Sequence, residues 1–171
     1  MKYLENKLCY LSGPIQYATG ENWREYPNKI LSEEFGIKVF DPSKDPKQQW
    51  VPALKEAQAN KDYKTMARIS KSFVRKDLGI LDRSDFLIAY LPVNVATVCT
   101  CHEIINSNNS KKPTLLVTNA DDITKIPLWY FGFISLDFMF AGWESLFTYL
   151  REVNTGKHKN NDRWAFVYDL V

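Results

Sequence analysis

The sequence predicts an α/β protein: a single doubly wound domain over residues 1–171, with a mostly parallel five-stranded sheet and helices on both faces. Three observations predict it. Strand-like apolar runs alternate with helical segments along the chain, the order that builds βαβ units. One run, "FLIAYLP" (86–92), is apolar without interruption, as a strand buried on both faces must be. The length of 171 residues suits one domain with a substantial core.

Each element has its own local signal. "KLCYLSGPI" (7–15) reads as the first strand, stopped by Ser12-Gly13-Pro14. "ENWREYPNKILSEEFG" (21–36) reads as a helix through Trp23, Ile30, Leu31 and Phe35, with Pro27 delaying its start and Gly36 closing it. "IKVFDP" (37–42) is the second strand, ended by Asp41-Pro42. The polar segment "SKDPKQQWVPALKEAQANKD" (43–62) reads as a long loop with some helix. "DYKTMARISKSFVRKDLGILDRSD" (62–85) places Met66, Ile69, Phe73, Ile80 and Leu81 at helical spacing. After the third strand, "FLIAYLP", a short helix starts near Thr100. "TLLVTN" (114–119) is the fourth strand, "DFMF" (137–140) the fifth, and "WESLFTYLREVN" (143–154) a helix. "RWAFVYDLV" (163–171) is strand-like, an edge strand or a segment reaching a neighbouring subunit.

Composition excludes several classes of function. A net charge of +2 with no dense Lys/Arg block argues against a nucleic-acid polymer as partner. No apolar stretch approaches the roughly 20 residues of a membrane span. Glu5, Asn6 and Lys7 break the apolar pattern that a secretory signal would need. Three cysteines, an odd number without framework spacing, fit a reducing compartment. The expectation is a soluble, cytoplasmic protein without membrane association.

In a doubly wound sheet, ligands bind beyond the carboxyl ends of the strands, where helix N-termini converge. Three loops bring distinctive residues to that edge: Tyr10 to Gln16, Asp41-Pro42, and Pro92 to Glu103. Asp77 is anomalous because Phe73 and Leu81, four residues to either side, put it on the apolar stripe of its helix. It either faces a polar pocket inward or sits at the rim of the stripe. Asp82 lies off the stripe, and Asp85 precedes a strand in a turn. Glu103 has two readings as well. With Thr100 as cap, "TCHE" matches a capping box; alternatively Glu103 is a carboxylate delivered to the ligand edge. "CTCH" offers Cys99, Cys101 and His102 to a metal, but no second Cys/His pair follows, so none is expected. Nucleophile-elbow, Walker-type and dinucleotide glycine motifs are missing from the sequence.

With these residues assembled, the chain resembles the nucleoside 2-deoxyribosyltransferase family, which includes deoxynucleoside 5′-monophosphate N-glycosidases. "YLSGPI", "KDLGILDRSDFLIAYL" and "CTCHEI" carry the resemblance, in order, over about residues 8 to 120. It implies one flavodoxin- or Rossmann-like domain that needs no cofactor and acts on a small nucleoside or nucleotide. It also implies a homodimer or larger homo-oligomer, since family sites are often completed by a neighbouring chain. Glu103 would be the nucleophile at the anomeric carbon, Tyr10 would hold it through its hydroxyl, and Asp77 would face the base as proton donor or acceptor. Burial and a nearby Glu103 would then raise the pKa of Asp77. Ser12, Gly13, Pro14, Ile15, Asp41, Thr97 and Thr100 are the candidate substrate contacts.

The chain departs from the family pattern Gly-Thr-x-x-Glu by carrying Cys99 in place of the glycine, and His102 stands just before the nucleophile. Thr97, six residues before it, occupies the position near the sugar's 5′ group, where an uncharged hydroxyl suits a 5′-monophosphate better than a carboxylate would. Two other readings stand beside this one. One is a nucleotide-binding module of the same fold without turnover. The other is a phosphoribohydrolase, whose Gly-Gly-x-Gly-Thr-x-x-Glu glycine run is missing here.

Overall fold

The computed structural model describes residues 2–15 and 22–168. Five strands form one sheet: β1 (Leu8–Ser12), β2 (Lys38–Phe40), β3 (Phe86–Tyr90), β4 (Thr114–Thr118) and β5 (Met139–Ala141). Their order is β2-β1-β3-β4-β5, and every pairing is parallel. This is the flavodoxin-like order of the doubly wound class, whose winding reverses between β1 and β3. The reversal opens a crevice beyond the carboxyl ends of those two strands.

Six helices cover the sheet among the described residues: α1 (Glu25–Glu33), α2 (Val51–Ala59), α3 (Tyr63–Arg83), α4 (Val98–Asn109), α5 (Trp143–Asn154) and α6 (Ala165–Tyr168). α1 meets α5 through Tyr26 and Phe147, with Phe35, just beyond α1, against the same Phe147 ring. α3 packs on α2, α4 and β1, while α4 covers β3 and β4. Leu87, Ile88 and Ala89 of β3 and Leu115, Leu116 and Val117 of β4 are fully buried, so the unbroken apolar runs are the middle of the core. No helix among the described residues is long and apolar enough to cross a membrane.

Several local expectations change. Pro27 does not delay α1, which begins at Glu25; a proline in the first turn removes a donor that has no intrahelical acceptor there. Gly36 does close the helix region: at φ +70° it lets Ile37 N donate to Leu31 O at 3.0 Å. Segment 43–62 is more ordered than a long loop. Asp41 and Asp45 cap successive 3-10 turns, Pro42–Lys44 and Pro46–Trp50, which lead into α2.

The strand-like C-terminal segment is not a strand where it is described. It forms a 3-10 turn, Asp162–Trp164, followed by α6, while residues 169–171 lie outside the described residues. Its apolar character serves a different purpose. Trp164 is fully buried against Phe86 at 5.5 Å between ring centroids, and its indole N–H donates to the Tyr149 hydroxyl at 2.8 Å. The fifth strand is also shorter than "DFMF" suggests, since Asp137 and Phe138 belong to the preceding 3-10 turn.

Candidate active site

The period of two along β1 points Tyr10 and Ser12 to the same face, where α4 crosses the carboxyl edge. Both hydroxyls converge on Glu103. Tyr10 Oη donates to Oε1 at 2.7 Å, and Ser12 Oγ donates to Oε2. The carboxyl group is only 7% exposed. Burial raises its pKa, opposed by the Ser12 and Tyr10 hydrogen bonds and by the charges of Lys47 and Arg24. Burial and then the Glu103 charge push the Tyr10 phenol up, so it remains protonated and a donor.

The capping-box reading of Glu103 is overturned. α4 begins at Val98 with Thr97 as its cap residue, so Thr100 is the third helical residue and Glu103 the sixth. From there Glu103 cannot serve the first turn. Thr100 is buried, not a cap. Thr97 stands at the cap position but makes no side-chain capping bond.

Asp77 lies at the edge of the apolar stripe, its side chain 21% exposed. It is ion-paired with Lys47, whose ammonium comes from the 3-10 turn Pro46–Trp50. Lys47 is itself 7% exposed and lies over the Phe73 ring at 5.6 Å. Asp45 fixes this turn by accepting from Lys47 N at 2.8 Å, and Lys76 Nζ reaches the same Asp45 oxygen at 2.6 Å. Burial lowers the pKa of Lys47, while Asp45 and Glu103 act in the opposite direction. The partner of Asp77 is therefore a cation that sequence reasoning did not put there.

Asp41 is buried in a second ion pair, with Arg24 Nε 3.2 Å from its Oδ1. The same oxygen accepts from Ser43 N at 2.9 Å and Ser43 Oγ at 2.7 Å. Arg24 Nη2 donates to Gly13 O at 2.8 Å, tying the loops after β1 and β2 together. Among the described residues, Arg24 Nη1 and Asp41 Oδ2 are buried without partners. Gly13, at φ +154°, has no room for a side chain: a Cβ would lie 2.5 Å from the Trp23 ring. Trp23 stacks on Trp143 at 5.9 Å, lies tilted against Tyr90 at 4.6 Å, and donates to Pro14 O at 3.2 Å. These rings wall the crevice on the α1 side. Pro14 is buried and Ile15 exposed at the end of the first loop.

His102 and Cys99 are exposed, and both oxygens of Glu103 are engaged by β1 rather than by His102. Cys101 meets the Tyr130 hydroxyl at 2.7 Å. Among the described residues, no three His, Cys, Asp or Glu side chains are grouped to hold a metal ion. Lys47 and Arg24 are the site residues that sequence reasoning missed. Lys47 lies in a segment read as a long polar loop and Arg24 in one read as helix; for Lys47 the signal was Asp-Pro at 45–46, which caps a 3-10 turn.

No family model and no curated protein matches the sequence. Among solved structures, the chain is similar to a 2-deoxyribosyltransferase from the psychrotolerant bacterium Bacillus psychrosaccharolyticus. The TM-score is 0.53 at 18% identity, over 81% of this chain and 89% of the other. The likeness is one of fold.

Proposed function

We propose that the protein cleaves the N-glycosidic bond of a 2′-deoxynucleoside or its 5′-monophosphate through a covalent glutamyl-deoxyribosyl intermediate. The base passes to water or is exchanged for another base. One observation carries this reading: a buried carboxylate, Glu103, gripped on both oxygens by hydroxyls of β1 in the switch-point crevice. The fold likeness to a 2-deoxyribosyltransferase and the three matching stretches of sequence support it. The reading takes residues 1–171 as one domain of this type.

The roles follow from the geometry. Tyr10 and Ser12 aim Glu103 and stabilise its charge, while desolvation keeps it reactive toward an oxocarbenium-like carbon. Asp77 faces the base from α3, across the crevice from β1. In this reading Thr97, Thr100, Ser12, Gly13, Pro14, Ile15 and Asp41 line or brace the sugar end, where Thr97, at the cap of α4, and the helix's first amides would receive a 5′-phosphate. A binding module without turnover would have no use for a desolvated carboxylate, which costs stability.

The test is direct. The protein is incubated with a panel of nucleosides and 5′-monophosphates, free base is measured by chromatography, and the quenched protein is weighed by mass spectrometry. Release of base together with a deoxyribosyl adduct on Glu103 is expected. Binding without release in every case would establish the non-catalytic module instead.

A further inference from the structure

Lys47 has features that an ordinary surface lysine lacks. It sits in a turn whose geometry is fixed by the Asp45 cap, it is 7% exposed, and its ammonium is committed to Asp77. Burying a lysine is costly unless its charge is used. Structural pairing alone does not need a buried lysine: in the neighbouring pair of Lys76 with the buried Asp45, the lysine side chain is 43% exposed.

Resting on the proposed glycosidic cleavage, we infer that Lys47 is the proton source for the departing base, with Asp77 as the group that relays the proton. An ionised Asp77 has no proton to give, so the pair must draw it from Lys47. When a base fills the crevice and excludes water, the proton shifts from Lys47 Nζ to Asp77, converting the ion pair into a neutral one. Asp77 then passes it to the base nitrogen as the C1′–N bond breaks and its electron pair leaves with the base. A Glu103 oxygen forms the new bond to C1′. Lys47 is left as a neutral amine and Asp77 as a carboxylate. In the second half, water attacks C1′ and the ester C–O bond breaks, its electrons returning to Glu103. The proton released from water travels through Asp77 back to Lys47.

The surroundings of Lys47 suit this cycle. The charged and titratable groups around it are Asp45 on its own turn, Asp77 and Lys76 on α3, and Glu103 and Cys99 on α4. Burial lowers its pKa, so its proton is easier to give up than that of a solvated lysine. Once Glu103 is esterified its negative charge is gone, and Lys47 loses one of the groups that favour its charged form.

The test compares two leaving groups. 2′-Deoxyadenosine needs a proton on its base, whereas 7-methyl-2′-deoxyguanosine already carries a positive base and leaves neutral. Lys47→Met is expected to lower kcat on the first by about 100-fold and on the second by less than about fivefold, since general acid catalysis is worth roughly 10²–10⁴. Lys47→Arg keeps the charge but cannot release the proton, so it should resemble Lys47→Met. Equal losses on both substrates, or recovery by arginine, would overturn the proton role. The unmodified protein gives a check that needs no variant: an alkaline fall in kcat/KM with deoxyadenosine. A flat alkaline profile with deoxyadenosine would overturn the inference too. Failure to cleave either substrate, by contrast, would refute the glycosidic reading itself.

Discussion

Tyr10 and Glu103 are 93 positions apart in the chain and 2.7 Å apart at their oxygens, the phenol donating to the carboxylate. A central strand and the helix that follows its neighbour meet at this bond. Tyr10→Phe keeps the ring that packs on Phe40 at 5.3 Å and removes only the donor. Loss of one such donor to a charged group should lower kcat by about 10- to 100-fold with little change in KM. Because that bond holds the pKa of Glu103 down, the acid limb of the pH profile should also move upward. Steady-state kinetics across pH measure both.

Glu103→Ala should abolish turnover and the covalent adduct. The fold should survive within about 1 kcal/mol, because two hydrogen bonds are lost while the cost of a desolvated carboxylate is removed. Thermal melts and mass spectrometry on the same sample check this. Turnover retained in the folded variant would remove Glu103 from the mechanism.

The pH profile should be bell-shaped. Glu103 works as a carboxylate, and burial raises its pKa above the ordinary 4.5, so activity appears only as pH rises through that elevated value. Lys47 works as an ammonium, and burial lowers its pKa below the ordinary 10.5, so activity falls before a solvated lysine would titrate. The window is narrower on both sides than unperturbed groups would give. A profile of kcat/KM from pH 4 to 11 reads both limbs.

At the sugar end, the unmodified protein should prefer a 5′-monophosphate to the free nucleoside. Thr97→Asp should reverse that preference by about tenfold or more, since a carboxylate at the α4 cap repels a phosphate. The ratio of the two kcat/KM values, before and after substitution, decides it.

The expected homo-oligomer can be tested on the segment before β5. Leu128 and Trp129 are 82% and 79% exposed, an unusual exposure for such side chains, whereas Tyr130, Phe138 and Phe140 join the core. Light scattering should give at least twice the 19.9 kDa chain mass at micromolar concentration, and Trp129→Glu should lower it. A monomer mass for the unmodified protein would refute the assembly.

Sequence patterns revealed the parallel core, whereas the pairing of Tyr10 with Glu103 came from the resemblance to the deoxyribosyltransferase family. β3 and β4 are apolar throughout because both faces are covered, and no other environment tolerates such runs. Tyr10 and Glu103 both lie on elements, β1 and α4, that reach the ligand-binding edge of a doubly wound sheet. The start of α4 was misread because Thr97 caps without a side-chain bond, while Thr100 offered a familiar but unused motif. Lys47 was illegible because "DPKQQW" has no apolar periodicity and its one large apolar residue, Trp50, is exposed; the burial of Lys47 comes from Asp45 pinning the turn against α3, a tertiary effect. Trp164 misled in the same way, since one large ring inserted beside Phe86 gives a short segment the hydrophobicity of a strand.

The stack of Trp23, Tyr90 and Trp143 equips the crevice with its own optical reporter. Trp23 lies against Gly13 and is hydrogen-bonded to Pro14, so whatever shifts the first loop also alters the polarity around an indole. Tyr90, 4.6 Å away, is close enough to pass its excitation to that indole. Emission from the unlabelled protein should therefore register occupancy of the crevice in real time, at wavelengths where the arriving base does not emit.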